Sequence, residues 1–241
     1  MNVVWLAGGF IAVVLALGPP LHHAAEELFS AHMVQHLVLI TVAAPLLALG
    51  LPSAHAVLAR LPPARNTVRR GLRAAGRRIP FGATRNAGTA AAWLLHVVIL
   101  WAWHTPALYE AAVRAPALHA VEHASLLISA VAFWVVVLRR RPRPLSAAVY
   151  LFAAAAQSTA LGALLTLAAQ PSYPSHADTA ARWGLTPLAD QQLAGVIMWV
   201  LGGLGYLGTA LAVLARVVRD DRRPDQAMRP AAPAVHRRKT S

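Results

Sequence analysis

The sequence predicts an all-α polytopic membrane bundle of six transmembrane helices, and three observations lead there. Of the 241 residues, 57% are hydrophobic and 13% charged, with a mean hydropathy of +0.51, outside the range of soluble globular chains. Six apolar runs each approach the roughly 20 residues that cross about 30 Å of hydrocarbon. The basic residues, finally, gather in alternate connections between those runs, the pattern of a multi-pass chain.

The first run, near residues 2–18, has no basic stretch before it and ends in GPP, so it reads as a retained helix rather than a signal peptide. The second, near 29–49, opens on HMVQH and contains Pro45, which lacks an amide donor and predicts a local kink. The third, near 87–104, carries His96 and ends on His104. The fourth, near 118–138, opens on HAVEH; the fifth lies near 146–169; the sixth, near 192–215, contains Met198. Residues 1–219 thus form one transmembrane domain, and 220–241 read as a basic, disordered tail without internal repeats.

Charge orients the bundle. The connection 50–88 holds eight Arg and no acid, RRRPRP from residue 139 adds four Arg, and the segment after 215 holds eight Lys or Arg. Only Arg114 and Arg182 fall in the other connections, which hold Glu26, Glu27, Glu110, Glu122, Asp178 and Asp190. Basic residues stay on the cytoplasmic side, so both termini are expected there. With 21 Arg against one Lys, the basic residues look like the product of a GC-rich bacterial genome. The basic runs serve topology and attraction to the lipid bilayer, and nucleic acid is not expected as a partner.

This orientation gathers nine of eleven histidines on the outer side, leaving only His55 and His236 inside. A lone histidine near a helix end is ordinarily interfacial or hydrogen-bonded. Two i, i+4 pairs at one depth, His32 with His36 and His119 with His123, are different, because each pair shares a helix face and ionisable groups at that depth turn to the bundle interior. The four imidazoles are expected to converge within roughly 10 Å, close enough to share an ion. No cysteine occurs, so a metal must be held by His, Met, carboxylate or backbone. Imidazole beside a thioether such as Met33 favours copper, whereas imidazole alone also suits zinc or haem iron. Met33 diverges from His32 by about 100° around the helix, so the two cannot share a face.

HAVEH also fits H-x-x-E-H, in which two histidines bind zinc and Glu122 is general base of a metalloprotease. Alternatively Glu122 fixes a histidine tautomer from behind the ligands. His96, about 12 Å deeper than His104, keeps a di-haem electron-transfer cytochrome in view.

Four stretches in order, HMVQHLVLITVAAPLLALGLP, WAWHTPALYEAAV, LHAVEHASLLISAVAFWVVVL and PLADQQLAGVIMWVLGGLGYL, resemble the membrane-integral CtaG family of cytochrome c oxidase assembly factors over about residues 28–210. The resemblance implies a non-enzymatic role in maturing a haem-copper oxidase by binding or delivering copper from the outer side of the bacterial plasma membrane. It implies oxidase subunits and a copper chaperone as partners. Its histidine motifs fall on His32, His36, His104, His119 and His123, with Glu122, Asp190, Gln191 and Met198 at the matching acidic, amide and methionine positions. The expected metal set is therefore His32, His36, His104, His119, His123 and Met198, with Glu122, Asp190 and Gln191 supporting it.

Overall fold

The computed structural model describes residues 3–52, 81–139 and 144–227. The arginine-rich connection 53–80, residues 140–143 and the tail from 228 lie outside the described residues, and with them most of the charge pattern on which the expected orientation rests. Among the described residues the structure is helical without strands.

Helix α1 is Val3–Leu17, α2 Pro19–Glu27, α3 Phe29–Gly50, α4 Phe81–Trp103, α5 Pro106–Arg114, α6 Pro116–Arg139 and α7 Pro144–Thr166. The last, α8, starts as Pro187–Ile197, passes a π turn at Met198–Gly202 and continues as Gly203–Ala227. Four helices are long and apolar enough to span a membrane alone: Phe29–Gly50, Pro116–Arg139, Leu145–Thr166 and Pro187–Ala215. The first and third predicted spans are instead bent pairs, α1 with α2 at 40° and Gly88–Trp103 with α5 at 72°, which bring the number to six when each is counted as one span. The structure also carries helix past Asp220 to Ala227, where the sequence reads as a disordered tail.

The bends have local causes. Gly18 and Thr105 are extended and each is followed by proline at the first helical position, where the missing amide is not needed and the fixed φ starts a new helix. The sequence reading treats both segments as loops, because short polar helices such as PPLHHAAEE lack the apolar length on which span detection depends.

Helices α3, α6, α4, α7 and α8 form a closed ring, with α1 outside against α3. The core runs through Met33, Ile40, Leu100, Phe133, Trp134, Leu151, Leu161, Met198 and Tyr206. The outward face of α1 leaves Val4, Phe10 and Val14 exposed, the surface expected against lipid acyl chains. Where α7 meets α8 the backbones nearly touch: a Cβ on Gly162 would lie 2.6 Å from the Gly195 carbonyl oxygen, and one on Gly195 2.5 Å from that of Gly162. Only glycine fits such a crossing.

The helix accommodates Pro45 with a π turn and a compensation the sequence does not display. The helix passes through a π turn at Leu39–Ala43, in which the Ala44 amide donates to Leu39. Pro45 has no amide to continue that register, so the Ile40 carbonyl would be stranded. It accepts instead from the Trp134 indole of α6 at 2.8 Å. At the same end of the bundle the Arg139 guanidinium donates to the carbonyls of Leu51 and, at 3.4 Å, Ala48, closing the C-terminus of α3.

Candidate metal centre

All the clustered histidines lie at the opposite end of the bundle from Arg139, on three helices. Helix α3 supplies His32, Met33 and His36, α6 supplies His119, Glu122 and His123, and the end of α4 supplies His104. The i, i+4 spacing places His32 and His36 on one face, with Nε2 atoms 3.0 Å apart, so one ring donates to the other and their tautomers are opposite. The two pairs meet. Ring centroids are 5.1 Å apart for His32 and His119, 5.4 Å for His32 and His123, 5.1 Å for His36 and His123, and 4.4 Å for His119 and His123.

Glu122 points into the middle of them. Its carboxylate lies 3.7 Å from His32 Nε2, 3.6 Å from His36 Nε2 and 4.0 Å from His119 Nε2. Ligand atoms of His32, His119, Glu122 and His123 all lie within 4.8 Å of one another. A tetrahedral ion with bonds of about 2 Å holds its ligands roughly 3.3 Å apart, so modest rotamer shifts close this group around one ion.

The polar bookkeeping points the same way. Both Glu122 oxygens, His119 Nε2, His123 Nε2 and His36 Nδ1 are buried without a hydrogen bond. A carboxylate and imidazoles held dry and unpaired are costly on their own. A cation among them would supply the missing partner for the Glu122 oxygens and for the His119 and His123 nitrogens, so the residues present fit a metal.

Aromatic rings close one side. Phe29 stacks on Tyr173 at 4.1 Å and meets Tyr109 edge-on, and Tyr109 in turn meets His32 edge-on at 5.1 Å. The Tyr109 hydroxyl pairs with His176 Nε2 at 2.8 Å, and the Tyr173 hydroxyl donates to the His104 carbonyl at 2.7 Å. Burial pushes the His176 imidazole below its ordinary pKa. The segment bearing Tyr173 and His176 is pinned by Glu110, which accepts from Ser175 and pairs with Arg114. It is pinned again by Glu27, which accepts from Arg182 at 3.0 Å and from the Trp183 indole at 2.6 Å. His119 keeps a solvent-facing edge, where His22 stacks on it at 6.1 Å and Glu26 lies between His22 and His23.

The other expected site residues divide. His104 is buried and donates from Nδ1 to the Leu100 carbonyl at 2.6 Å, while its Nε2 lies 3.1 Å from the Met33 sulfur. Met198 is buried in the π turn of α8 and lines a small cleft with Met33 and His36. Asp190 and Gln191 act on backbone rather than on imidazoles. Asp190 accepts from the amides of Phe29 at 2.7 Å and Ser30 at 3.0 Å, capping α3 from 160 residues away, and Gln191 accepts from the Ser172 amide and donates to the Leu165 carbonyl. His96 is saturated: Ser129 donates to Leu126, so it accepts from His96 Nδ1, and Nε2 accepts from Tyr206 at 3.1 Å. Sequence reasoning missed Phe29, Tyr109 and Tyr173, which signal only that they are aromatic.

Residues 1–220 match the family described as cytochrome c oxidase caa3 assembly factor (Caa3_CtaG). No curated protein and no solved structure matches the chain.

Proposed function

The chain belongs to the family of cytochrome c oxidase caa3 assembly factors, and from that premise we propose that it carries copper as cargo at the His32, His119, Glu122 and His123 centre and passes it to an oxidase subunit. The observation that carries this reading is the buried Glu122 carboxylate, with neither oxygen hydrogen-bonded, beside two imidazole nitrogens in the same condition. Three neutral imidazoles and one carboxylate form a borderline donor set suited to Cu(II), with zinc the nearest competitor. His36, bonded to His32, stands beside this set as a further imidazole.

No bond-making step is required, so the role is non-enzymatic, and the partners are oxidase subunits and a copper chaperone as donor. Two rival readings are disfavoured by specific observations. A di-haem cytochrome needs an axial ligand deep in the bundle, and both His96 nitrogens are already engaged. A zinc protease needs a general base open to a peptide, and Glu122 is 0% exposed. Copper analysis with an optical spectrum of the purified, copper-loaded chain tests the proposal. The expected result is about one tightly held copper and no haem absorption band; a haem spectrum, or intact protein that holds no copper, would overturn it.

The histidine-bearing end faces the outer side of the bacterial plasma membrane, with both termini cytoplasmic. Support comes from the sequence, in which 20 of the 22 basic residues fall in alternate connections and the C-terminal segment. Reporter fusions after Arg70, Arg141 and Ser241 are expected to behave as cytoplasmic, and one after Ser175 as exported. An exported signal at Arg70 would reverse the orientation.

A further inference from the structure

We infer that Met33 and His104 form a second, softer metal site, separate from the Glu122 centre, that takes cuprous copper. The inference starts from one contact. His104 Nδ1 lies 2.6 Å from the Leu100 carbonyl oxygen, an acceptor only, so the ring proton is on Nδ1. The neutral ring then presents a bare lone pair at Nε2. What faces that lone pair, at 3.1 Å, is the Met33 thioether sulfur, which has no proton to give. Two buried acceptors thus confront each other with no hydrogen between them, 4% and 0% exposed respectively. A hydrogen bond cannot explain the pairing; a shared Lewis acid does.

The donor chemistry selects the ion. Thioether and imidazole without a carboxylate form a soft, uncharged set, which favours Cu(I) over zinc or Cu(II). Tetrahedral bonds of about 2.0 Å to nitrogen and 2.3 Å to sulfur separate those atoms by roughly 3.5 Å. The flexible methionine therefore needs to give by only a few tenths of an ångström. A further thioether is at hand, since Met198 lines the same cleft as Met33 and His36.

Position gives the site its meaning. The His36 ring lies 5.5 Å from His104 and 5.1 Å from His123, between the harder centre and the softer one. Met33 follows His32 directly, and the helix turns the two side chains into different sites, His32 toward α6 and Met33 toward α4. One stretch of α3 therefore serves two kinds of ligand field.

The site stands independently of the Glu122 centre and is tested on the purified full-length chain under anaerobic conditions. Cu(I) is titrated against a competing chromophoric chelator, and the loaded protein is measured by X-ray absorption. The wild-type chain is expected to show a copper–sulfur path. Met33→Leu, which preserves volume, should lose that path and bind Cu(I) at least tenfold more weakly. His104→Asn, which keeps a donor for Leu100 but removes Nε2, should weaken Cu(I) to the same degree. Glu122→Gln should keep the sulfur path while losing the other site. A nitrogen-only copper shell in the wild type, or an unchanged sulfur path and affinity in Met33→Leu, would overturn the assignment; so would a path lost in Met198→Leu but kept in Met33→Leu.

Discussion

Glu122→Gln is expected to reduce Cu(II) affinity at the four-residue centre at least a hundredfold, without unfolding the chain. The substitution keeps shape and removes one negative charge from a site at the middle of three imidazoles. At an effective dielectric of about 20, a bonded carboxylate whose charge is centred about 3 Å from the ion contributes roughly 5 kcal/mol per unit of cation charge, and the amide oxygen recovers only a fraction of it. Stability without metal should move the opposite way. The native carboxylate is buried and has no hydrogen bond, so an uncharged amide there relieves desolvation, and the metal-free variant should melt at or above the wild-type temperature. Cells carrying the variant should accumulate copper-poor, weakly active oxidase at growth-limiting copper, as should His32→Ala/His36→Ala. Wild-type oxidase copper content in both variants would sink the cargo reading and leave a scaffold role, which needs no ligands.

Asp190→Ala should destabilise the chain by about 2–4 kcal/mol, more than any ordinary surface change. Its two oxygens hold the Phe29 and Ser30 amides at the start of α3, donors with no intrahelical acceptor. Leaving a buried donor unpaired costs about 1–3 kcal/mol, and a lost cap is itself worth about 0.5–2 kcal/mol. Because His32, Met33 and His36 all stand on the first turns of that helix, fraying should weaken copper binding along with the melting temperature. Asp190→Asn, which retains one acceptor oxygen, should recover part of both. An unchanged thermal midpoint for the alanine variant, read in detergent, would contradict the capping role.

Hydropathy made most of the bundle legible, because a membrane span needs about 20 apolar residues whatever its neighbours are. The i, i+4 spacing of His32 with His36 and of His119 with His123 likewise carried its own geometry, since a helix converts spacing into a shared face. The 100° rule also separated Met33 from His32, and the structure sends them to different neighbours. What stayed hidden depends on pairings distant in the chain. Asp190 resembles a site acid in sequence, yet its partners are amides 160 residues earlier. Trp134 reads as one more apolar residue until the carbonyl freed before Pro45 is seen to need a donor. The polar segments 19–27 and 106–114 fold as helices for want of nothing more visible than a proline after an extended residue.

One asymmetry of the centre bears on rates rather than affinities. The His119 side chain is 21% exposed, whereas His32, Glu122 and His123 are 2%, 0% and 7% exposed, and the aromatic stack of Phe29, Tyr109 and Tyr173 closes another flank. Among the four, His119 is the ligand that solvent reaches, so a cation held there would exchange ligand by ligand with His119 the first to take it. Microscopic reversibility would make the same imidazole the last to let go. The residence time of such a cargo would then be set at His119 and its stacked neighbour His22, while the three buried ligands would set how tightly it is held, so lifetime and affinity would be tuned by different residues.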